Sequence, residues 1–286
     1  MIEVKQLTHI YNQGTPWEFR ALDGISFAVE KGECLGIIGG SGSGKSTLAH
    51  HLAGILSPME GSVVLHGSDI STTQMGSEMR REVGLIFQSS QDQLFEESVF
   101  KEISFGLRGR TKLNRRQIEE RVKGVCRELY PPLEELMDRS PFELSEGERT
   151  MVAIASVLIG EPEILIFDEP WARWDAENRG RVLRQIEKFR RSGKTLIILS
   201  KQCGGLIHLF DRVIFLHRGK IIADGKLEHV LASGEIGAGV TNLLPPLTSM
   251  LIHLREKGID VNPSLDTPAS ISLEIHRLLE KKRKDQ

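Results

Sequence analysis

Three observations predict an α/β fold with a largely parallel sheet covered on both faces by helices. Residues 39–47 read GGSGSGKST and fit the phosphate-binding loop pattern G-x-x-x-x-G-K-[ST]. Short apolar runs alternate with stretches of helical periodicity, the pattern of strand–helix–strand units. One such run, residues 164–167, ends in the two carboxylates Asp168 and Glu169.

Gly39, Gly44, Lys45 and Ser46 hold the fixed positions of the loop, Gly40, Ser41, Gly42 and Ser43 the free ones, and Thr47 follows. Before the loop, Cys34–Ile38 reads as a buried strand, and after it residues 47–56 read as a helix. Glycines let the backbone curl until successive N–H groups converge on phosphate oxygens, and the helix N-terminus adds positive dipole. Lys45 is placed to reach the terminal phosphates and the Ser46 hydroxyl to ligate Mg²⁺. The chain is therefore expected to bind a nucleoside triphosphate.

Upstream, residues 2–8 and 25–30 alternate apolar and polar and predict an antiparallel patch, with a turn-rich loop at Asn12, Gln13, Gly14, Thr15 and Pro16 between them. Residues 62–65 predict another strand, ended by Gly67, and residues 83–87 an apolar run that stops at Gln88. Residues 89–160 change to helical periodicity and predict an inserted helical subdomain. Within it, Arg115–Leu129 carries a stripe of Ile118, Val122, Val125, Cys126 and Leu129, stopped by Pro131 and Pro132. Ser145 is the expected cap of a helix running to Ile159. The α/β pattern resumes with a helix at Ala176–Arg191, a strand at residues 195–199, and a hairpin of residues 212–216 and 220–223 turned at Arg218 and Gly219. This organisation predicts a main domain over residues 1–234. A helical extension follows over 235–286, with helices near 248–257 and 268–282, and is a candidate for dimerisation.

The 286 residues suffice for one α/β domain with an appendage. A net charge of −2 and a pI near 6.5 give no basic bias, so nucleic acid is not an expected partner. The basic run at Lys281, Lys282, Arg283 and Lys284 reads as a solvated tail. Cys34, Cys126 and Cys203 are scattered and read as reduced thiols, and the nine histidines lack zinc spacing. No stretch approaches the roughly 20 apolar residues that span a bilayer. A role at a membrane would need another subunit.

A strand ending in Asp168 and Glu169 can hold Mg²⁺ through the first carboxylate and polarise an attacking water with the second. Leu144, Ser145, Glu146, Gly147 and Glu148 stand just before a helix. With the phosphate loop, Gln88, Asp168, Glu169 and Pro170 in this order, residues 1–234 resemble the ATP-binding cassette (ABC) ATPases. That resemblance implies an ATPase with ATP and Mg²⁺. Tyr11 would stack on adenine, and Gln88 would join Ser46 and Asp168 at Mg²⁺ while coupling it to a membrane partner. The signature Ser145, Glu146, Gly147 and Glu148 would face the γ-phosphate bound by an opposite subunit.

Gln91, Asp92, Gln93, Leu94 and Phe95, followed by Val99 and by Ser104, Phe105 and Gly106, are similar to the ATPases of energy-coupling factor (ECF) importers. So are Leu243, Leu244, Pro245, Pro246, Leu251, Leu254, Gly258 and Thr267 in the tail. ECF importers take up vitamins and transition-metal ions. They pair two ATPases, as a homodimer or a heterodimer, with a membrane coupling protein and a small substrate-binding membrane protein. The resemblance places this chain peripherally on the cytoplasmic face of the cell membrane, with residues 91–105 against the coupling protein.

The chain departs from the family at three points. Ser-Glu-Gly-Glu replaces Ser-Gly-Gly-Gln in the signature, and Glu146 sets a carboxylate where backbone should approach phosphate. Glutamate at 148 is the milder change. Ala172, Arg173 and Trp174 replace the usual small and aliphatic D-loop residues, although Asp175 is kept. Lys201 follows Ser200 where a histidine is usual; lysine offers donors only, so it can hold phosphate but cannot accept a hydrogen bond. Catalytic candidates are thus Glu169, Lys45 and Lys201. Glu146 weakens the site closed on a partner's loop and Lys201 the site on this chain's own loop, so a heterodimer leaves one defect per site. The expected function is the ATPase motor of an ECF-type importer. A nucleotide-binding regulatory subunit is the alternative, and a soluble ABC ATPase of translation or DNA repair fits less well, since the chain has neither a second cassette nor a long coiled coil.

Overall fold

The computed structural model describes residues 1–70, 79–89, 92–107, 113–169, 176–202, 206–232, 243–244, 246–259, 261 and 270–277. Its strands are β1 (Ile2–Tyr11), β2 (Phe19–Val29), β3 (Cys34–Ile38), β4 (Glu60–Leu65), β5 (Ser68–Asp69), β6 (Val83–Ile86), β7 (Ile164–Asp168), β8 (Thr195–Ser200), β9 (Arg212–His217) and β10 (Lys220–Gly225). The helices are α1 (Lys45–Leu52), α2 (Val99–Phe105), α3 (Arg115–Leu129), α4 (Glu146–Leu158), α5 (Ala176–Arg191), α6 (Leu227–Ala232) and α7 (Pro246–Glu256), and residues 270–277 are also helical.

Two sheets form. An antiparallel sheet has the order β2-β1-β4-β5, and a second sheet the order β10-β9-β3-β8-β7-β6, parallel except for the edge strand β10. Side chains alternate along the parallel strands, so each serves two cores. Leu165, Phe167, Leu196 and Ile198 pack with α2, α3 and α4. Ile164, Ile166, Ile197 and Leu199 pack the other way, with α1 and the antiparallel sheet. This two-sided burial explains why these strands are apolar runs, each buried Ile or Leu contributing about 1.5–3 kcal/mol.

β1 and β2 are longer than their alternation predicts, because register shifts between Val4 and Leu7, Leu7 and His9, and His9 and Ile10 hide the continuing ladder. Pairing runs on to Tyr11 opposite Phe19, which shortens the connecting loop. Helix α1 starts earlier than predicted, at Lys45, because Gly44 takes the cap position at φ 104°. It stops earlier too. Gly54 turns left-handed at φ 67°, with Gly54 N–H donating to His51 and Ile55 N–H to His50, the Schellman arrangement.

The middle of the chain holds α2, α3 and α4. Asn114 and Gln117 close a capping box on α3, whose Val122, Cys126 and Leu129 are buried, with Ile118 and Val125 packed beside them. Ser145 caps α4 as predicted. In the tail, Leu243 and Leu244 pack with the β9–β10 edge, while Leu251, Leu254, Val261, Ile271 and Ile275 form a cluster of their own. Cys34 and Cys126 are buried and free, and burial pushes their thiols up to about 12 and about 11, which leaves them unreactive; Cys203 and the basic run lie outside the described residues.

His51 on α1 is 1% exposed, with neither ring nitrogen partnered by a described residue. Its ring meets His9 on β1 at 4.8 Å between centroids. Burial, helped by His9, lowers the His51 pKa to about 4. Above its unfolded value of about 6.5 the imidazole is neutral in both states. Below it, the unfolded chain takes up a proton that the folded chain refuses until about pH 4, so stability falls as pH falls through that window, by at most about 3 kcal/mol. Urea midpoints from about pH 7 down to about pH 4 should drop, and His51→Leu should flatten the drop. An equally steep drop in the variant would clear His51 of the effect.

Candidate nucleotide site

The ends of four parallel strands meet at one edge of the sheet. The loop after β3 carries residues 39–44, β6 leads to Gln88, β7 ends at Asp168 with Glu169 next, and β8 is followed by Lys201. Crevices at the carboxyl ends of parallel strands are where open α/β sheets bind ligands, at the point where strand order switches sides of the first strand. Here β3 lies between β8 and β9, which supplies that switch. A cleft of about 250 Å³ opens there, lined by the loop from Ser41 to Thr47 and by Phe19, Gln88, Glu169 and Lys201.

The loop needs its glycines for space. A Cβ on Gly44 would stand 2.4 Å from the Ala21 carbonyl oxygen, at a φ that side chains avoid. A Cβ on Gly39 would stand 2.4 Å from the Leu216 oxygen. Lys45 is buried and folds back on the loop, its Nζ donating to the Gly39 carbonyl at 2.7 Å and the Gly40 carbonyl at 3.1 Å. Burial lowers its pKa, opposed by the neighbouring Glu169 and Asp168.

Asp168 is buried beside it. Its carboxyl is bonded to the Ser46 side chain, while Oδ1 has no partner among the described residues. Burial raises its pKa, opposed first by that hydrogen bond and then by Lys45. A hydroxyl, a carboxylate with an orphaned oxygen and the Gln88 amide at the cleft wall are hard oxygen donors, which fit Mg²⁺. Glu169 takes a left-handed backbone at φ 48°, a conformation that costs a non-glycine residue about 1–2 kcal/mol. Its N–H donates to Leu199 at 3.1 Å, and its carboxylate stands between Lys45 at 3.6 Å and Lys201 at 3.4 Å.

Tyr11 does not line the cleft but stands beside it, exposed, with its hydroxyl 3.2 Å from Thr47 Oγ1 and its ring edge-on to His9 at 4.5 Å. Phe19, paired with Tyr11 across the ladder and exposed, was missed from sequence. Carrying β1 on to Tyr11 and reading residues 12–18 as a hairpin loop would have put the two aromatics opposite each other.

Ser145, Glu146, Gly147 and Glu148 do not line this cleft. Ser145 is the α4 N-cap, and Glu148 closes the capping box with a carboxylate instead of an amide. Glu148 Oε2 accepts from Ser145 Oγ at 2.7 Å and from Ser145 N at 2.9 Å, which lowers the Glu148 pKa. A carboxylate only accepts, so the serine hydroxyl must donate to it and is not free to donate elsewhere. Gly147 is buried and Glu146 half-buried at the start of the helix. Asp175 and the rest of the D-loop lie outside the described residues.

Two further groupings appear. Leu94, Val99 and Ile103 turn inward, whereas Phe95 and Phe105 stay exposed, edge to face at 4.8 Å. They flank a groove of about 260 Å³ that also takes in Arg81, Leu85, Glu102 and Val157. Buried Glu102 accepts from Phe95 N at 2.9 Å and Glu96 N at 2.8 Å, which holds the turn; Gln91 lies outside the described residues. Elsewhere His66, Glu82 and Glu163 bring ligand atoms within 4.8 Å of one another, and Lys31, 3.5 Å from Glu163, supplies a cation there.

A phosphate loop on the first parallel strand, with an acidic strand end two strands away, defines a nucleotide-hydrolysing cassette of the phosphate-loop class. The ABC transporter family matches residues 22–172. Among relatives, the energy-coupling factor transporter ATP-binding protein EcfA2 of Acetivibrio thermocellus is 37% identical over 283 residues, covering 98% of this chain and 99% of the relative. The EcfA2 protein of Clostridium tetani is 35% identical over 283 residues, covering 98% of each. The structure of cbiO1 from Clostridium perfringens, part of the ABC transporter complex cbiONQ, matches with a TM-score of 0.70 and 33% identity, over 89% of this chain and 98% of that one. The chain belongs to the ABC transporter family, in which it is an ATPase similar from end to end to the ATP-binding subunits of ECF transporters.

Two substitutions probe the cleft. Gly44→Ala should destabilise the chain by about 2 kcal/mol or more and abolish ATP binding, measured by urea unfolding and nucleotide titration. Phe19→Ala should weaken ATP binding about five- to twentyfold with stability nearly unchanged, as the loss of a stacking face requires; unaltered affinity would remove Phe19 from the site.

Proposed function

We propose that this chain is the ATPase motor of an ECF-type importer for a vitamin or transition-metal ion. It works as one of two ATPases, the other being a different chain, on a membrane coupling protein joined to a small substrate-binding membrane protein. Residues 1–234 form the motor and 235–286 an extension that contributes to pairing. The observation that carries this reading is the similarity to EcfA2 proteins along nearly the whole chain, tail included. No described helix is long and apolar enough to cross a membrane. In this reading the chain sits peripherally, on the cytoplasmic face, as a motor acting on a membrane coupling protein. The groove beside Phe95 and Phe105 receives a helix of the coupling protein, apolar contact coming from the rings and orientation from Arg81.

In the cleft, Tyr11 and Phe19 hold the adenine face, and the N–H groups of the loop hold the phosphates. Lys45 exchanges the Gly39 and Gly40 carbonyls for phosphate oxygens. Ser46, Gln88 and Asp168 would hold Mg²⁺, which when bound neutralises charge on the β- and γ-phosphate oxygens. Glu169 orients the attacking water and takes its proton. The water oxygen bonds to the γ-phosphorus as the bond to the bridging oxygen breaks, leaving ADP and phosphate. Asp175, the D-loop residue, belongs to the contact with the second ATPase.

The hydrogen bond from Ser145 to Glu148 supports pairing with a different chain. It ties up the hydroxyl that the opposite nucleotide would use, so a homodimer would carry the defect at both sites. The same bond favours a second reading, a regulatory subunit whose signature contributes little to hydrolysis.

Purification from native membranes in mild detergent should recover a second ABC ATPase with one large and one small membrane protein; recovery of this chain alone from the soluble fraction would sink the importer. Within the complex, Glu169→Gln should keep ATP binding and lower turnover about a hundredfold or more. Glu148→Gln should raise turnover several-fold, up to about tenfold. No rise in single-turnover hydrolysis with Glu148→Gln would exclude that residue as the brake.

A further inference from the structure

Glu169 is 6% exposed and has an ammonium on each side, Lys45 near Oε1 at 3.6 Å and Lys201 near Oε2 at 3.4 Å. The two lysines differ in kind. Lys45 is buried and its position is set by the Gly39 and Gly40 carbonyls, so the loop places it whether or not Glu169 is there. Lys201 has a side chain 46% exposed, and among the described residues its ionic partner is Glu169. It stands directly after β8, where Ser200 turns its hydroxyl to the Gln202 carbonyl at 2.7 Å, leaving the Lys201 ammonium to reach into the cleft on its own stem.

We propose that Lys201 is a tether for Glu169, holding the carboxylate in the nucleotide-free chain and releasing it to the γ-phosphate. This rests on the ATPase reading of the cleft. A lysine only donates, so it occupies an oxygen of Glu169 that must otherwise accept from water. A terminal phosphate offers more negative charge than one carboxylate, and the flexible four-carbon stem lets the ammonium follow it. Oε2 is then free for the water. Lys201 is a positioning residue on this account: its ion pair with Glu169 must break before the carboxylate can orient the water, and that step slows hydrolysis.

A double-mutant cycle of Glu169→Gln and Lys201→Gln in the nucleotide-free full chain reads the tether without any turnover. The two substitutions should be non-additive, with a coupling of about two- to fivefold in the unfolding equilibrium constant. Strict additivity overturns the proposal. In the assembled complex, Lys201→Gln should raise the single-turnover rate about three- to tenfold with KM for ATP within about twofold, and Lys201→Arg should stay slow because it keeps the cation. An unchanged or lower rate with Lys201→Gln also overturns it. Failure of the ATPase reading has a separate mark, no hydrolysis by the unaltered complex whatever the cycle reports.

Discussion

Two backbone hydrogen bonds at the end of β8 hold the functional edge together. The Leu199 carbonyl accepts from Glu169 N–H and the Ser200 carbonyl from Gly39 N–H, each at 3.1 Å. One strand therefore fixes, on its two sides, the acidic end of β7 and the first residue of the phosphate loop. The ladder that does this is buried on both faces, where an unmade backbone hydrogen bond costs about 1–3 kcal/mol. Displacement of either loop from β8 would break it. The left-handed turn at Glu169 and the crowding around Gly39 are tolerated because this ladder over-determines the positions.

Charge is the second constraint. Lys45, Asp168 and Glu169 are all buried within one small volume, and each depends on the others to stay there. Burial alone pushes Lys45 and Asp168 toward their neutral forms, and their mutual attraction opposes it. The arrangement is balanced without nucleotide, whereas a triphosphate and its metal ion would bring both signs of charge at once. Behind it, the buried His9 and His51 rings support Tyr11 from the core side. Tyr11 and the fold's acid sensitivity share that layer.

Much of this was legible in the sequence. The strand at Cys34–Ile38, the loop, the acid pair, the helix cap at Ser145 and the hairpin at Arg218 and Gly219 rest on local rules, which few tertiary contacts can overrule. Phe19 was not legible, because the register shifts in β1 break the alternation that would have carried the strand to Tyr11. The helix after the loop was placed late because a glycine cap is invisible in a hydrophobic pattern. Glutamate and glutamine both close a capping box at the third helical position, and the structure adds which atoms meet: Glu148 Oε2 accepts from the Ser145 hydroxyl and N–H.

By itself, then, the sequence determined the class of chemistry: glycines spaced for a phosphate, a lysine and serine beside them, and two carboxylates ending an apolar strand. Those are local demands of backbone space and donor type, and they are written in neighbouring residues. Tertiary structure alone decided which side chains face one another across the cleft. Lys201 could have pointed to solvent, but the β7–β8 pairing sets it against Glu169, whose carboxylate needs a counter-charge at that depth. Phe95 and Phe105 could both have packed inward. Leu94, Val99 and Ile103 fill that core instead, and the two rings are left on the surface beside the groove. The physical reason is the same in both cases, since pairing register and core volume are properties of the whole sheet and its covering helices.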